Sequence, residues 1–496
     1  MLDIIHAIFD PSNLLLMNLG VFIGIIVGVL PGLTGVFGLT VLLPFTFGMD
    51  TIPGMYLLLG AYCGGIFGGS ITAILINTPG TPAAAATTID GNIMAKNGRA
   101  GDALKCALVS STFGGLFSCF ALLLIAPVLA SFALKFGPPE YFALCIFGLT
   151  IIVSISEKNI LKGLIAAGLG LLLSTVGIDE NMSIPRFMFG KVDLLNGISP
   201  IIVMLGIFAL SEMLEKTRLG VQLSGKAEVI QKATITIKDI LKHWKLLLKS
   251  SIFGTIIGAV PGTGGAIAAF FSYNEAKRSS KYPERFGTGT EEGVIAPEAA
   301  NNAVSGSTLI PLLTLGIPGD IGAAVLMGAL MVKGVIPGPE LFTQNHFWVY
   351  SIMFGLFIIN LFMFAQGHFL TRFFSNIIKV SFQILIPCVM VLCTIGAFSM
   401  TNSTFDVFIM LIFGLVGYIL RRFNFPLPPL TIGIVLGKLT ETNMQRSLIM
   451  SDGSMSIFFT RPLSAIFLAI GLLSLFSRLI KKYKKSILNR NRKGTR

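Results

Sequence analysis

The chain has 496 residues, of which 53% are hydrophobic and 12% charged, with a formal net charge of +13. A soluble domain carries about 25% charged residues, so this chain lacks the polar surface that water requires, which excludes a soluble globular fold. Its apolar residues run in blocks at 14–30, 103–134, 198–214, 347–370 and 457–479, each near or above the ~20 residues that cross a bilayer as a helix. A β-barrel would alternate over segments of about ten residues instead. The expected fold is an all-α polytopic membrane protein with about ten to twelve transmembrane or re-entrant helices.

In chain order, no Lys or Arg precedes Lys96. The first apolar block closes on Gly28-Val-Leu-Pro-Gly-Leu-Thr-Gly35, and a second interruption follows at Thr78-Pro79-Gly80. Asp90 and Asp102 flank Lys96 and Arg99 and read as a solvated loop. Helices are expected at 141–156, 160–177 and 198–214. Positive charge then collects at 216–249. Within it, 226–249 mixes Lys with Ile, Leu and Trp at helical spacing, and reads either as an interfacial amphipathic arm or as a solvated connector. Gly258-Ala-Val-Pro-Gly-Thr-Gly-Gly265 and Ile317-Pro318-Gly319 repeat the two interruptions. Beyond them, helices are expected at 347–370, 382–400 and 405–420, a Pro-broken segment at 426–437 and a final span at 457–479. The tail at 478–496 is basic and holds no acid. Lys and Arg beside spans resist translocation, so both basic stretches read as cytoplasmic, with anionic lipid headgroups as further partners of the tail.

The interruptions align as a duplication. Pro31 and Pro261 stand at an offset of 230, Ser70 and Ser307 at 237, and Pro79 and Pro318 at 239. Residues 1–215 therefore read as a first transmembrane repeat, 216–249 as a basic connector, 250–425 as a second repeat, 426–480 as C-terminal helices and 481–496 as a cytoplasmic tail. The charge bias changes sign between equivalent positions. Lys96, Arg99 and Lys105 follow the first pair of breaks, whereas basic residues precede the second pair. Opposite biases imply copies that enter the membrane from opposite faces.

Broken helices persist in a bilayer only where protein or a wet cavity satisfies the freed backbone groups. A Pro-Gly pair removes a donor and permits a sharp turn, and the half-helix after it presents N–H groups suited to an anion. The candidate substrate-binding residues are therefore Pro31, Gly32, Thr34, Gly35, Thr78, Pro79, Gly80, Thr81, Pro261, Gly262, Thr263, Gly264, Pro318 and Gly319, with Asn301 and Asn302. The copies differ where ligands matter, since Ala61, Gly64 and Gly65 align with Glu298, Asn301 and Asn302. Ionisable groups at membrane depth are functional candidates, so Glu298, Asn301, Asn302 and Ser307 are the candidate residues for coupling to Na⁺ or H⁺. The four histidines and six cysteines show no metal-ligand spacing, and there is no phosphate-binding GxxxxGK[ST] loop. Neither an enzyme, an organic cofactor, a metal site nor a nucleic-acid partner is expected.

Gly68-Gly-Ser-Ile-Thr-Ala-Ile-Leu-Ile-Asn-Thr-Pro-Gly80, Asp90-Gly91 with Gly98-Arg-Ala-Gly101, Pro297-Glu-Ala-Ala-Asn-Asn-Ala303 and Leu315-Gly-Ile-Pro-Gly319 together resemble the large membrane subunit of the tripartite tricarboxylate transporters. The resemblance implies a permease of the bacterial inner membrane that works with a small membrane subunit and a periplasmic solute-binding protein. It further implies ion-gradient-driven uptake of tricarboxylates or related organic acid anions. Thr81 stands where many relatives carry a glutamate after Pro-Gly, so no role passes to that position. The other reading of the same repeat is an ion channel or an exporter.

Overall fold

The computed structural model describes residues 2–155, 160–179, 181–219, 228–377, 380 and 382–475. The 481–496 tail, the end of the last expected span and part of the basic connector lie outside the described residues. The helices, in chain order, begin with α1 (Leu2–Phe9), α2 (Pro11–Val29), α3 (Gly35–Leu42), α4 (Thr51–Ile76), α5 (Ala85–Met94) and α6 (Ala100–Ala133). Then come α7 (Pro138–Ile155), α8 (Ile160–Ser174), α9 (Pro200–Met204), α10 (Ser211–Leu219), α11 (Ile237–Leu241), α12 (Trp244–Gly258) and α13 (Gly264–Ser279). The next are α14 (Glu292–Ser307), α15 (Leu309–Leu315), α16 (Ile321–Val332), α17 (Leu341–Gln344) and α18 (His346–Ile377). The series closes with α19 (Phe382–Thr401), α20 (Thr404–Arg422), α21 (Leu427–Met450), α22 (Ile457–Thr460) and α23 (Pro462–Leu475). Six helical stretches among the described residues are long and apolar enough to cross a membrane. Large side chains along α6, α19 and α20, such as Leu124, Val391 and Leu415, face outward, as lipid contact requires. The all-α polytopic fold stands.

The chain divides into two compact units, Met1–Leu134 with Met204–Tyr418, and Lys135–Val203 with Ile419–Arg496. In the first unit α2 and α4 pack through interlocking glycines. Gly20, Gly24 and Gly28 lie against the backbones of Leu57, Ala61 and Gly65, while Gly60, Gly64 and Gly68 lie against Met17, Val21 and Ile25. Glycine at every fourth position lets two backbones touch, which is how helices associate where lipid supplies no hydrophobic drive. The order of contacts makes α2 and α4 parallel. Likewise Gly254 meets Ala300 and Gly258 meets Val304, so α12 and α14 run parallel. Between the copies the sense reverses: Ser70 meets Glu298 and Cys63 meets Ser305, so α4 and α14 run antiparallel.

Some helix contacts of this unit recur when corresponding elements are exchanged. Helix α5 packs on α13 and α14 as α16 packs on α3 and α4, and α6 packs on α12 and α14 as α18 packs on α2 and α4.

One expectation is overturned by the burial of two carboxylates. Asp90 and Asp102 are buried, not solvated. Asp90 accepts hydrogen bonds from the backbone amides of Gly287, Gly289 and Thr290 at 2.8–3.0 Å and from Tyr273 Oη at 2.8 Å. Asp102 accepts from the amides of Thr234 at 2.6 Å and Ile235 at 3.0 Å, and pairs with Arg99 at 3.2 Å. In the described part of the connector, α11 and the start of α12 bury Ile240 and Leu247 and leave Lys238, Lys242 and Lys245 exposed. Residues 228–235 carry no regular helix; Glu228 N donates to Leu75 O, and Gln231 and Ala233 press on Gly101. Asp102 holds this strap because its carboxylate satisfies amides that an extended chain leaves unpaired.

In the second unit α21 packs on α8 and α7. The segment at 426–437, expected to be Pro-broken, is instead the start of the unbroken helix α21. Its prolines occupy the first turn, where the missing N–H has no helical partner to lose. A two-stranded antiparallel ladder, β1 (Gly177–Ile178) with β2 (Pro185–Arg186), comes directly after α8 in the chain. Arg186 grips Glu441 through two nitrogens at 2.6 and 2.9 Å. Asp179 accepts from Gln445 at 2.8 Å, and that bond with the amides of Asn181 and Met182 holds its carboxyl below the usual range.

Candidate functional site

The four interruptions form two matched sets. Gly32 and Gly262 both turn through positive φ, at 76° and 82°, and Asn77 and Gly316 end their helices in the left-handed conformation at 55° and 68°. Glycine, or asparagine at a helix end, adopts that region with least strain. Within each copy the two breaks are drawn together. Gly80 N donates to Gly69 O at 3.2 Å, and Gly80 lies against Gly28 O. Gly262 N donates to Gly319 O at 2.7 Å, and a Cβ on Gly319 would come within 2.9 Å of Gly258 O. The candidates Pro31–Gly35 and Thr78–Thr81 thus share one locus, and Pro261–Gly264 and Pro318–Gly319 share another.

The half-helices that follow differ in what they leave open. Thr34 caps α3 by accepting from Phe37 N at 3.4 Å, and Thr81 Oγ1 accepts from Ala84 N at 3.3 Å ahead of α5. Asp320 caps α16 by accepting from Ala323 N at 2.7 Å, so a carboxylate of the chain itself already occupies that N-terminus. At α13, by contrast, no side chain caps the first turn. The hydroxyl of Thr263 turns away and donates to Val260 O at 2.9 Å and to Ile257 O. Thr78 donates to Ile76 O at 3.3 Å.

Beside α13 lies the polar face of α14. Glu298, Asn301 and Asn302 recur at three- and four-residue spacing and so share one side of the helix. Glu298 is fully buried. It accepts from Ser70 Oγ at 2.7 Å, Ser111 Oγ at 2.9 Å and Thr87 Oγ1. Asn302 Nδ2 donates to Ser111 Oγ at 2.8 Å and to Glu298 O at 3.2 Å. The carboxylate is therefore held by neutral hydroxyls contributed by α4, α5 and α6. Asn301 is 3% exposed, and its Nδ2 makes no hydrogen bond. Its Oδ1 lies over Gly265, in the first turn of α13, where a Cβ would collide with it. A buried donor without a partner is strongly unfavourable unless a ligand takes it up. Ser307 is not part of this network: it donates to Ala303 O at 2.8 Å and packs on Gly258.

Several residues of this centre escape the motif reading. Thr87 and Ser111 sit in helical sequence without any break, and only the fold brings them to Glu298. Asp320 was legible, since it occupies, 239 positions on, the place of Thr81. Tyr62 Oη donates to its Oδ2 at 2.6 Å, which links the copies a second time.

Interrupted helices packed around a buried polar centre define a multi-pass α-helical membrane protein of the transporter kind. The comparison with known families makes the assignment specific. Residues 14–432 match the tripartite tricarboxylate transporter TctA family, and the chain belongs to that family as a membrane transporter component. It is 37% identical over 462 residues to an uncharacterized 52.8 kDa protein of the TAR-I ttuC' 3' region of Agrobacterium vitis, covering 93% of this chain and 92% of that protein. A second Agrobacterium vitis protein, uncharacterized and from the TAR-II ttuC' 3' region, is 36% identical over 227 residues, which are 46% of this chain and 94% of its own length. No solved structure matches the chain.

Proposed function

We propose that this chain is the permease of a binding-protein-dependent tripartite importer, and that it carries tricarboxylates or related organic acid anions inward across the bacterial inner membrane on an ion gradient. The observation that carries the reading is the unpartnered Asn301 amide beside the uncapped start of α13. Free N–H groups at a helix start and a buried amide donor suit a carboxylate. One turn away, Glu298 is a buried acid without a cationic partner among its hydrogen bonds, a group suited to taking up H⁺ or coordinating Na⁺ when the substrate binds. The antiparallel run of α4 and α14 supports an inverted repeat whose two arrangements open the centre to opposite faces. The basic segments then lie on the cytoplasmic side, and the partners are a small membrane subunit and a periplasmic solute-binding protein.

Reconstitution tests this. Proteoliposomes holding the permease and the small subunit, with the binding protein outside, are expected to accumulate labelled citrate or a smaller carboxylate only under an imposed Na⁺ or pH gradient. Flux that runs down the carboxylate gradient alone, indifferent to both ions and to the binding protein, would identify a channel.

A further inference from the structure

The first break carries a charge that its own motif does not contain. Gly32 turns through a φ of 76°, and the Nζ of Lys216 fills the space where a Cβ would stand, with its Cε 3.2 Å from that point. Lys216 lies on α10, outside the paired elements. The six-residue π-helical segment Leu205–Leu210 precedes α10 and packs against α3, the half-helix after the break. Such segments often mark functional positions because they re-aim the residues after them. The Lys216 side chain is 14% exposed and pairs with Glu212, itself 12% exposed, at 3.7 Å.

We propose that Lys216 is the cationic ligand for one carboxylate of the transported anion at the first break. The inference rests on the reading of the chain as an importer of organic acid anions. A partly desolvated ammonium beside a glycine turn binds a carboxylate through charge-assisted bonds much stronger than those of neutral donors. Its flexible stem lets it follow the anion as the surrounding helices move. The equivalent second break carries the opposite charge, Asp320, whose Cβ lies 3.9 Å from the Cβ position of Gly264. The two loci are thus unlike, and the anion is anchored by charge at the first and by neutral donors near the second.

The test uses the complete tripartite system in proteoliposomes, with labelled citrate and succinate as probes. Lys216→Gln is expected to raise KM roughly ten- to hundredfold, while Lys216→Arg stays within about threefold and Glu212→Gln leaves KM unchanged or lower. Lys216→Cys in a Cys388→Ser background, chosen because Cys388 is the exposed cysteine, is expected to regain uptake when 2-bromoethylamine restores an ammonium. This arm decides the matter if the glutamine variant does not fold. Unchanged KM in Lys216→Gln would overturn the proposal while leaving the importer reading intact. A defect in Glu212→Gln equal to that of Lys216→Gln, or one repaired in the double variant, would do the same by reducing Lys216 to a structural partner. Wild-type protein that transports neither probe would remove the importer reading and this proposal together.

Discussion

The two copies use the same helix crossing for different ends. In the first, α2 and α4 are locked by glycines at 20, 24, 28, 60, 64 and 68, each lying against a backbone of the facing helix. In the second, α12 keeps Gly254 and Gly258 against α14, but the places of Ala61, Gly64 and Gly65 are taken by Glu298, Asn301 and Asn302. The first pair is packed closely along its length, and the second carries polar groups that Ser70, Thr87 and Ser111 hold in place.

That contrast is broken most severely in the first copy. Gly24→Leu drives a side chain into the backbone of Ala61 and is expected to destabilise the fold by about 3 kcal/mol or more, read as loss of the monodisperse detergent-solubilised protein on heating. Asp90→Asn comes next. It turns amide hydrogens toward the Gly287–Thr290 amides and is expected to lower stability by about 2 kcal/mol, visible as an earlier thermal transition and faster proteolysis in that loop. Asn301→Ala sharpens the contrast from the other side. It deletes a buried donor that satisfies nothing in the protein itself, so its melting temperature should hold within a few degrees while citrate uptake falls roughly tenfold. Tyr273→Phe has the smallest effect, about 1 kcal/mol, since Asp90 keeps its backbone donors. Equal losses of stability in Asn301→Ala and Gly24→Leu would erase the distinction between frame and site.

Much of the frame is legible in the sequence because bilayer physics is strict. Apolar blocks, Pro-Gly breaks and their near-constant offset locate most of the long helices and all four interruptions. The glycine stripe of α2 and α4 is equally readable, since its four-residue period needs only a helix to become a face. What stays hidden depends on long-range pairing. Asp90 beside Lys96 and Arg99 has the composition of a solvated loop, and only the 287–290 turn, nearly two hundred residues away, explains its burial. The hydroxyls around Glu298 come from three helices whose serines and threonines look like packing residues. Lys216 lies in a run of charges, and nothing local separates it from its neighbours. The prolines of α21 mislead for another reason, because a proline that opens a helix and one that breaks it differ only in where the helix starts.

The most direct measurement compares exchange with accumulation in Glu298→Gln, with all three components in proteoliposomes. Glutamine keeps the size of the side chain, and its Oε1 can still accept from Ser70 and Thr87 while its amide donates to Ser111 Oγ, but it neither takes up a proton nor offers a charge to Na⁺. If Glu298 couples the ion to the anion, the variant should still exchange labelled for unlabelled citrate across the membrane, yet fail to accumulate it against a gradient. Accumulation at the wild-type level would contradict that role, and so would a parallel loss of exchange and accumulation in a protein of unchanged thermal stability.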